Sequence, residues 1–210
     1  RVLVALGLLL ELQLLILDEP TTALDILTQR NIVDVLKELR QIITLDHITR
    51  TFQVKRQTTK VVDDVSLAIR EGEIMCLVGE SGCGKTTTGK MIAGLLPVSS
   101  GKVLFRGKEI AQLTGMDRKQ YRLGVQMIHQ DVYASLNPAH TIYQIIAAPL
   151  RHHGFTRGEA ATHRRVRELL ETVDLTPPDD FLDKYPHQLS GGQRQRVSIA
   201  PTLTMSPSFI

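Results

Sequence analysis

Leu77-Val78-Gly79-Glu80-Ser81-Gly82-Cys83-Gly84-Lys85-Thr86-Thr87 decides the reading of this chain, because it fits the pattern G-x-x-x-x-G-K-[ST] between an apolar run and a helical pattern. Glycines at 79, 82 and 84 let the backbone turn tightly with its amides facing inward, and a helix opening near Lys85 aims the positive end of its dipole at the same point. Lys85 adds a full charge for the outer phosphates of a nucleoside triphosphate. Thr86 offers a hydroxyl for Mg²⁺ at the helix start, and Ser81, Cys83 and Thr87 complete the contacting stretch. The competing reading is a glycine-rich turn with a solvated lysine. The flanks favour the phosphate loop: Glu73 to Val78 has strand length and apolar character, and Thr87 to Leu96 reads as helix.

The chain has 210 residues, 42% hydrophobic and 22% charged, with a formal net charge of +3. That suffices for one sizeable core, with a subdomain. The weakly basic balance comes without interleaved aromatics, so it gives no support to nucleic-acid binding. Cys76 and Cys83 are too close and too differently placed for a framework disulfide, which fits a reducing compartment. The opening Arg1 to Leu10 looks like a signal peptide or membrane span, but Glu11 and Gln13 interrupt it short of the roughly 20 residues a spanning helix needs. With no initiating Met, it reads as a fragment opening on a buried helix and then a buried strand.

Leu14-Leu15-Ile16-Leu17-Asp18-Glu19-Pro20 is an apolar run ending in two carboxylates, the way a buried parallel strand delivers acids to the ligand-binding edge of a sheet. Asp18 is placed to hold Mg²⁺ through water, and Glu19 to orient or deprotonate the attacking water. Ile26 to Arg40 carries Ile32, Val33, Leu36 and Leu39 on one face, an amphipathic helix. Short β-prone runs follow at 42–45, 48–52 and 61–69, with a basic bend at 55–60, and predict a small antiparallel layer. Lys102 to Phe105 adds a hairpin strand, and Val125 to His129 a core strand ending at Gln130. From Thr141 to Leu175 the pattern is mostly helical, and Pro177-Pro178 separates it from a last helix. Leu189-Ser190-Gly191-Gly192-Gln193 opens that helix, with Ser190 and Gln193 forming a capping box. Two glycines leave its amides open, so it reads either as a plain cap or as a binding point for the γ-phosphate of a nucleotide held elsewhere.

These motifs resemble the nucleotide-binding domain of ATP-binding cassette (ABC) transporters over nearly the whole chain. Gly79 to Thr86 is similar to the family's Walker A loop, Leu14 to Glu19 to Walker B, Thr22 to Asp25 to the D-loop, Gln130 to the Q-loop glutamine, and Leu189 to Gln193 to the signature. The resemblance implies an α/β P-loop NTPase (RecA-like) core with a small antiparallel β layer and a helical subdomain. It also implies ATP and Mg²⁺ as cofactors, with Lys85, Thr86, Asp18 and Gln130 holding phosphate and metal and Glu19 acting on water. Ser190, Gly191, Gly192 and Gln193 would serve in trans across a dimer of cassettes, and Phe52 would stack on adenine. Gln130 to Pro138 and Tyr185 to Ser190 resemble the dipeptide and oligopeptide importer branch, shared with glutathione and nickel importers. The implied partners are a second cassette, membrane permease subunits and, indirectly, an extracytoplasmic solute-binding protein. The implied location is the cytoplasmic face of the inner membrane.

The order of motifs departs from the family's. Walker B and the D-loop precede Walker A, and Arg1-Val2-x-x-Ala5 recurs as Arg196-Val197-x-x-Ala200, an offset of 195 residues. Residues 1–40 therefore read as the end of a preceding cassette and 41–210 as a cassette that stops before its own Walker B. Either the chain joins pieces of two fused cassettes, or it acts as a rotated cassette whose leading strand docks beside its own Walker A strand. Docking is favoured in both, since burying four side chains such as Leu14 to Leu17 gains very roughly 6–12 kcal/mol before entropy. His47 is the one histidine near the position of the family's switch histidine, and otherwise reads as a surface residue. Pro201 stands inside the last helix where the family commonly has arginine. Two rivals stand beside the transport ATPase: a cassette that binds nucleotide without turnover, and a soluble non-transport ABC ATPase.

Overall fold

The computed structural model describes residues 41–54, 57–130 and 135–210. Asp18, Glu19, the D-loop stretch and the amphipathic run 26–40 lie outside the described residues.

Two long strands, β1 (Gln41–Val54) and β2 (Gln57–Arg70), pair antiparallel down to Val54↔Gln57, so strand pairing reaches into the stretch 55–60 that the sequence reads as a bend. β3 (Ser100–Phe105) pairs with the other edge of β1, and β4 (Lys108–Glu109) with β3, giving a four-stranded order β2-β1-β3-β4. This is the expected antiparallel layer. Register slips between Leu45 and Ile48, where His47 takes a positive φ of 49°. Gly101 lies against that bulge so closely that a Cβ on it would sit 2.2 Å from the His47 carbonyl oxygen.

Helix α1 (Lys85–Ile92) follows the phosphate loop and buries Met91 and Ile92 against the layer, in one core with Ile43, Leu45, Ile48 and Val103. Helix α2 (Gly115–Gly124) has no clear apolar stripe in its sequence, and it buries a single residue, Tyr121. Tyr121 donates to the Ile92 carbonyl and meets Phe105 edge-on at 5.5 Å, so this one ring ties α2 to the end of α1 and to β3. Burial pushes its phenol up to about 12.

A second core belongs to α3 (Ile142–His152), α4 (Glu159–Thr172), the short α5 (Asp179–Leu182) and α6 (Gly191–Leu203). Ile142, Ile146 and Leu150 of α3 face Val166, Leu169 and Leu170 of α4, the 3.6-residue spacing read from the sequence. Pro201 is accommodated in the last turn of α6.

Two expected core strands are not assigned. Glu73 to Val78 forms no ladder among the described residues, and Ile74 and Val78 are 93% and 92% exposed. Val125 to His129 makes only a single parallel bridge, Val125↔Phe209, with the Gln126 amide donating to the Phe209 carbonyl at 3.0 Å. The reason is cooperative: a parallel strand is held by neighbours on its edges and helices on its faces, and apolar character alone cannot hold it extended.

Candidate functional site: the glycine loop and the capped helix start

The loop from Gly79 to α1 carries three glycines in different surroundings. Gly84, the N-cap of α1, has φ 95° and ψ 0°, and a Cβ there would come 2.5 Å from the Val61 carbonyl oxygen and 3.1 Å from Val62 Cγ2. Only glycine gives both that dihedral and that approach to β2. Gly82 also has a positive φ, 86°, but with open space around it. At Gly79 a Cβ would lie 2.7 Å from Cys83 Sγ. Thr88 locks the corner, its amide donating to the Gly84 carbonyl at 2.8 Å and its hydroxyl to the same oxygen at 3.1 Å. Sequence patterning passed over Thr88, yet a hydroxyl four residues after the last loop glycine is the signal for such a back-bond.

Lys85 curls back over this loop. Its Nζ donates to the carbonyls of Gly79 at 2.8 Å and Glu80 at 2.7 Å, and lies 3.5 Å from Cys83 Sγ. Among the described residues, the amides of Ser81, Gly82, Gly84, Lys85 and Thr86 donate to nothing. The result is a run of free N–H groups and an ammonium at a helix N-terminus, chemistry that suits a polyanion. Thr86 and Thr87 stand in the first turn of α1, with Thr86 exposed to what the loop would hold.

Phe52 shares this end of the layer. It pairs with Thr59 on β2, two residues before Val61, whose carbonyl touches Gly84. The Arg50 guanidinium lies over its ring at 4.7 Å, leaving a stacked base one face to use. Gln130 is exposed beyond the bridged stretch that begins at Val125.

The second candidate point is built as expected. Ser190 Oγ accepts from the Gln193 amide at 3.3 Å, and Gln193 Oε1 accepts from the Ser190 amide at 3.0 Å. Leu189 is buried in the helical core and anchors the turn, while a Cβ on Gly191 or Gly192 would meet nothing within 4 Å. The amides at this start of α6 are therefore sterically open. The loop stands on the β-layer core and this helix start on the helical core.

His47 is committed elsewhere. Its Nδ1 lies 2.7 Å from Asp64 Oδ1 on the surface of the layer, and its amide donates to Ser66 Oγ at 2.9 Å. The hydrogen bond and charge of Asp64 hold its imidazole above the usual histidine range. That is a local surface pair, the plainer of the two readings its sequence position allowed.

An antiparallel layer, a glycine loop opening a helix and a helical subdomain with a glycine-rich capped start define a cassette of the P-loop fold. In agreement, the ATP-binding cassette MJ0796, solved as a dimer in a post-hydrolysis state bound to ADP and Pi, aligns with a TM-score of 0.68 at 28% identity over 79% of this chain and 70% of that one. The ABC transporter family model matches residues 62–210, and the chain belongs to that family. The oligopeptide transport ATP-binding protein OppF of Bacillus subtilis (strain 168) is 43% identical over 171 residues, 81% of this chain and 55% of the relative. The dipeptide transport ATP-binding protein DppF of Lactococcus lactis subsp. cremoris (strain MG1363) is 41% identical over 178 residues, 83% of this chain and 56% of the relative. The chain thus spans about half the length of the curated relatives it matches.

Proposed function

We propose that this chain acts as an ATP-binding subunit of an importer that couples ATP hydrolysis to the uptake of peptides or related small solutes. The observation that carries the reading is the loop itself: free amides, a positive-φ glycine pressed on β2 and an ammonium folded back over the same turn. The names of relatives above 40% identity support the peptide-transport part.

The donor set fits a triphosphate with a magnesium ion. The amides of Ser81, Gly82, Gly84, Lys85 and Thr86 would present N–H groups to phosphate oxygens, and Lys85 needs only to swing from the Gly79 and Glu80 carbonyls to meet them. Thr86 is a hard oxygen donor at the helix start, and Asp18 and Gln130 are the further oxygen ligands assigned from sequence. When bound, Mg²⁺ would neutralise charge on the transferring phosphoryl group. Glu19 would orient or deprotonate the attacking water, and Phe52 would carry the base. Ser190, Gly191, Gly192 and Gln193 would close on the nucleotide of a second cassette, an arrangement supported by their standing on a separate core with open amides. A permease and, through it, a solute-binding protein would complete the importer. No helix among the described residues is long and apolar enough to cross a membrane, which is compatible with a peripheral subunit on the cytoplasmic face.

Phosphate release under steady-state conditions tests the reading, with Lys85→Ala as the blank. Glu19→Gln should keep ATP binding and lose turnover; equal loss of both would remove Glu19 from the chemistry.

A further inference from the structure

Thr49-Arg50-Thr51-Phe52 sets a cation and an aromatic ring two residues apart, the spacing that puts side chains on one face of a strand. The two meet. Arg50 Cζ lies 4.7 Å from the Phe52 ring centroid, and Arg50 Nη1 donates to the Pro97 carbonyl at 2.9 Å. Pro97 belongs to the turn that leads out of α1, and that turn is laced to the same stretch of β1: the Ser99 amide donates to the Thr49 carbonyl at 2.8 Å, and the Thr51 amide to Ser99 Oγ at 3.1 Å. The guanidinium is therefore fixed between the ring and the turn.

Hydrogen bonding alone does not account for an arginine here. Its Nε is buried and donates to nothing, and among the described residues the side chain makes no ion pair. A buried N–H without an acceptor is unfavourable. What the guanidinium gains is the face of Phe52, over which a flat cation can stack while still donating within its own plane. The ring gains as well, because a side chain that would otherwise turn about its bonds is held in one place, and ordering that a stacked base would have to impose is already made.

We propose that Arg50 is a positioning residue for the nucleotide base: it holds Phe52 from behind, so that the other face of the ring is ready to stack on the base of ATP. This rests on the ATP-binding reading, in which Phe52 carries the base. Arg50 acts on the base end of the site alone, since its partners Phe52 and Pro97 both lie outside the loop 79–86.

Calorimetric titration of the full chain with MgATP and, separately, with inorganic tripolyphosphate reads the two ends of the site. Arg50→Met keeps an apolar stem against the ring and removes the charge. It should weaken MgATP by about 3- to 10-fold and leave tripolyphosphate within about twofold. In a Phe52→Leu background the same substitution should cost no further affinity, because Arg50 works through the ring. Equal MgATP affinity in the parent and Arg50→Met chains would overturn the proposal and leave the ATP-binding reading intact. Parallel loss of both ligands would also overturn it, by marking a structural role through Pro97, as would an undiminished loss in the Phe52→Leu background. A parent chain that binds tripolyphosphate but gains nothing from the base removes the stacking platform and Arg50 with it; one that binds neither ligand refutes the ATP-binding reading itself and takes the proposal down too.

Discussion

Gly84→Ala isolates what the loop asks of its backbone. An L-residue in the left-handed region costs about 1–2 kcal/mol, and φ 95° at Gly84 lies in it. The new Cβ would also stand 2.5 Å from the Val61 oxygen and 3.1 Å from Val62 Cγ2. Because the nearest atom is backbone on a paired strand, relief requires moving the loop away from β2, at a further cost of about 1–3 kcal/mol. The whole substitution should therefore destabilise by about 2–5 kcal/mol, lowering the urea midpoint by about 1–2 M. Gly82→Ala is the matched control, with φ 86° and open space around it, so it should bear only the dihedral cost of about 1–2 kcal/mol. Urea melts of both variants, followed by far-UV circular dichroism, give the difference. If Gly84→Ala is no worse than Gly82→Ala, the close approach to Val61 is not what selects glycine, and the loop is seated differently.

Three further outcomes follow from side chains already placed. Ser190→Ala removes the acceptor of the Gln193 amide and should lower stability by about 0.5–2 kcal/mol, read as a drop in Tm of a few degrees, whereas Ser190→Asp should restore it. Pro201→Ala returns an amide donor for the Val197 carbonyl inside α6 and should raise stability by about 1–3 kcal/mol; a lower Tm would mean that the ring is packed usefully. For His47, the folded pKa lies above 6.5, so the protonated form is favoured by folding; its contribution is complete below 6.5 and is lost as pH rises through the folded value. Histidine NMR titration should show the pKa falling in Asp64→Asn, and an unchanged midpoint would break the pairing.

The parts legible in the sequence are those whose physics is local. Ser190 and Gln193 announce a capping box by spacing alone, and both of its hydrogen bonds are formed. Gly79, Gly82 and Gly84 announce a tight loop, of which Gly84 alone needs both a positive φ and the close approach to β2, and the α3 and α4 faces follow the helical period. Patterns at 42–52, 61–69 and 102–105 gave the antiparallel layer because one of its faces is buried. What escaped depends on distant partners. Glu73–Val78 looks like a core strand in every local respect, but a buried parallel strand is defined by its neighbours, and local pattern carries none of them. Helix α2 escaped for the opposite reason: Met116 is exposed and Tyr121 alone is buried, so there was no period to see. The hydrogen bond from Thr88 to Gly84 and the Arg50 lid on Phe52 are details of contact that spacing does not encode.

Equilibrium titration of the purified chain with a fluorescent ATP analogue in the presence of Mg²⁺ tests most directly whether the loop around Lys85 grips a triphosphate. Saturable binding at one site per chain is expected, displaced by ATP and weakened by about 10- to 100-fold in Lys85→Ala, the loss of one charge-assisted contact. Affinity unchanged by that substitution, or no saturable binding at all, would contradict it.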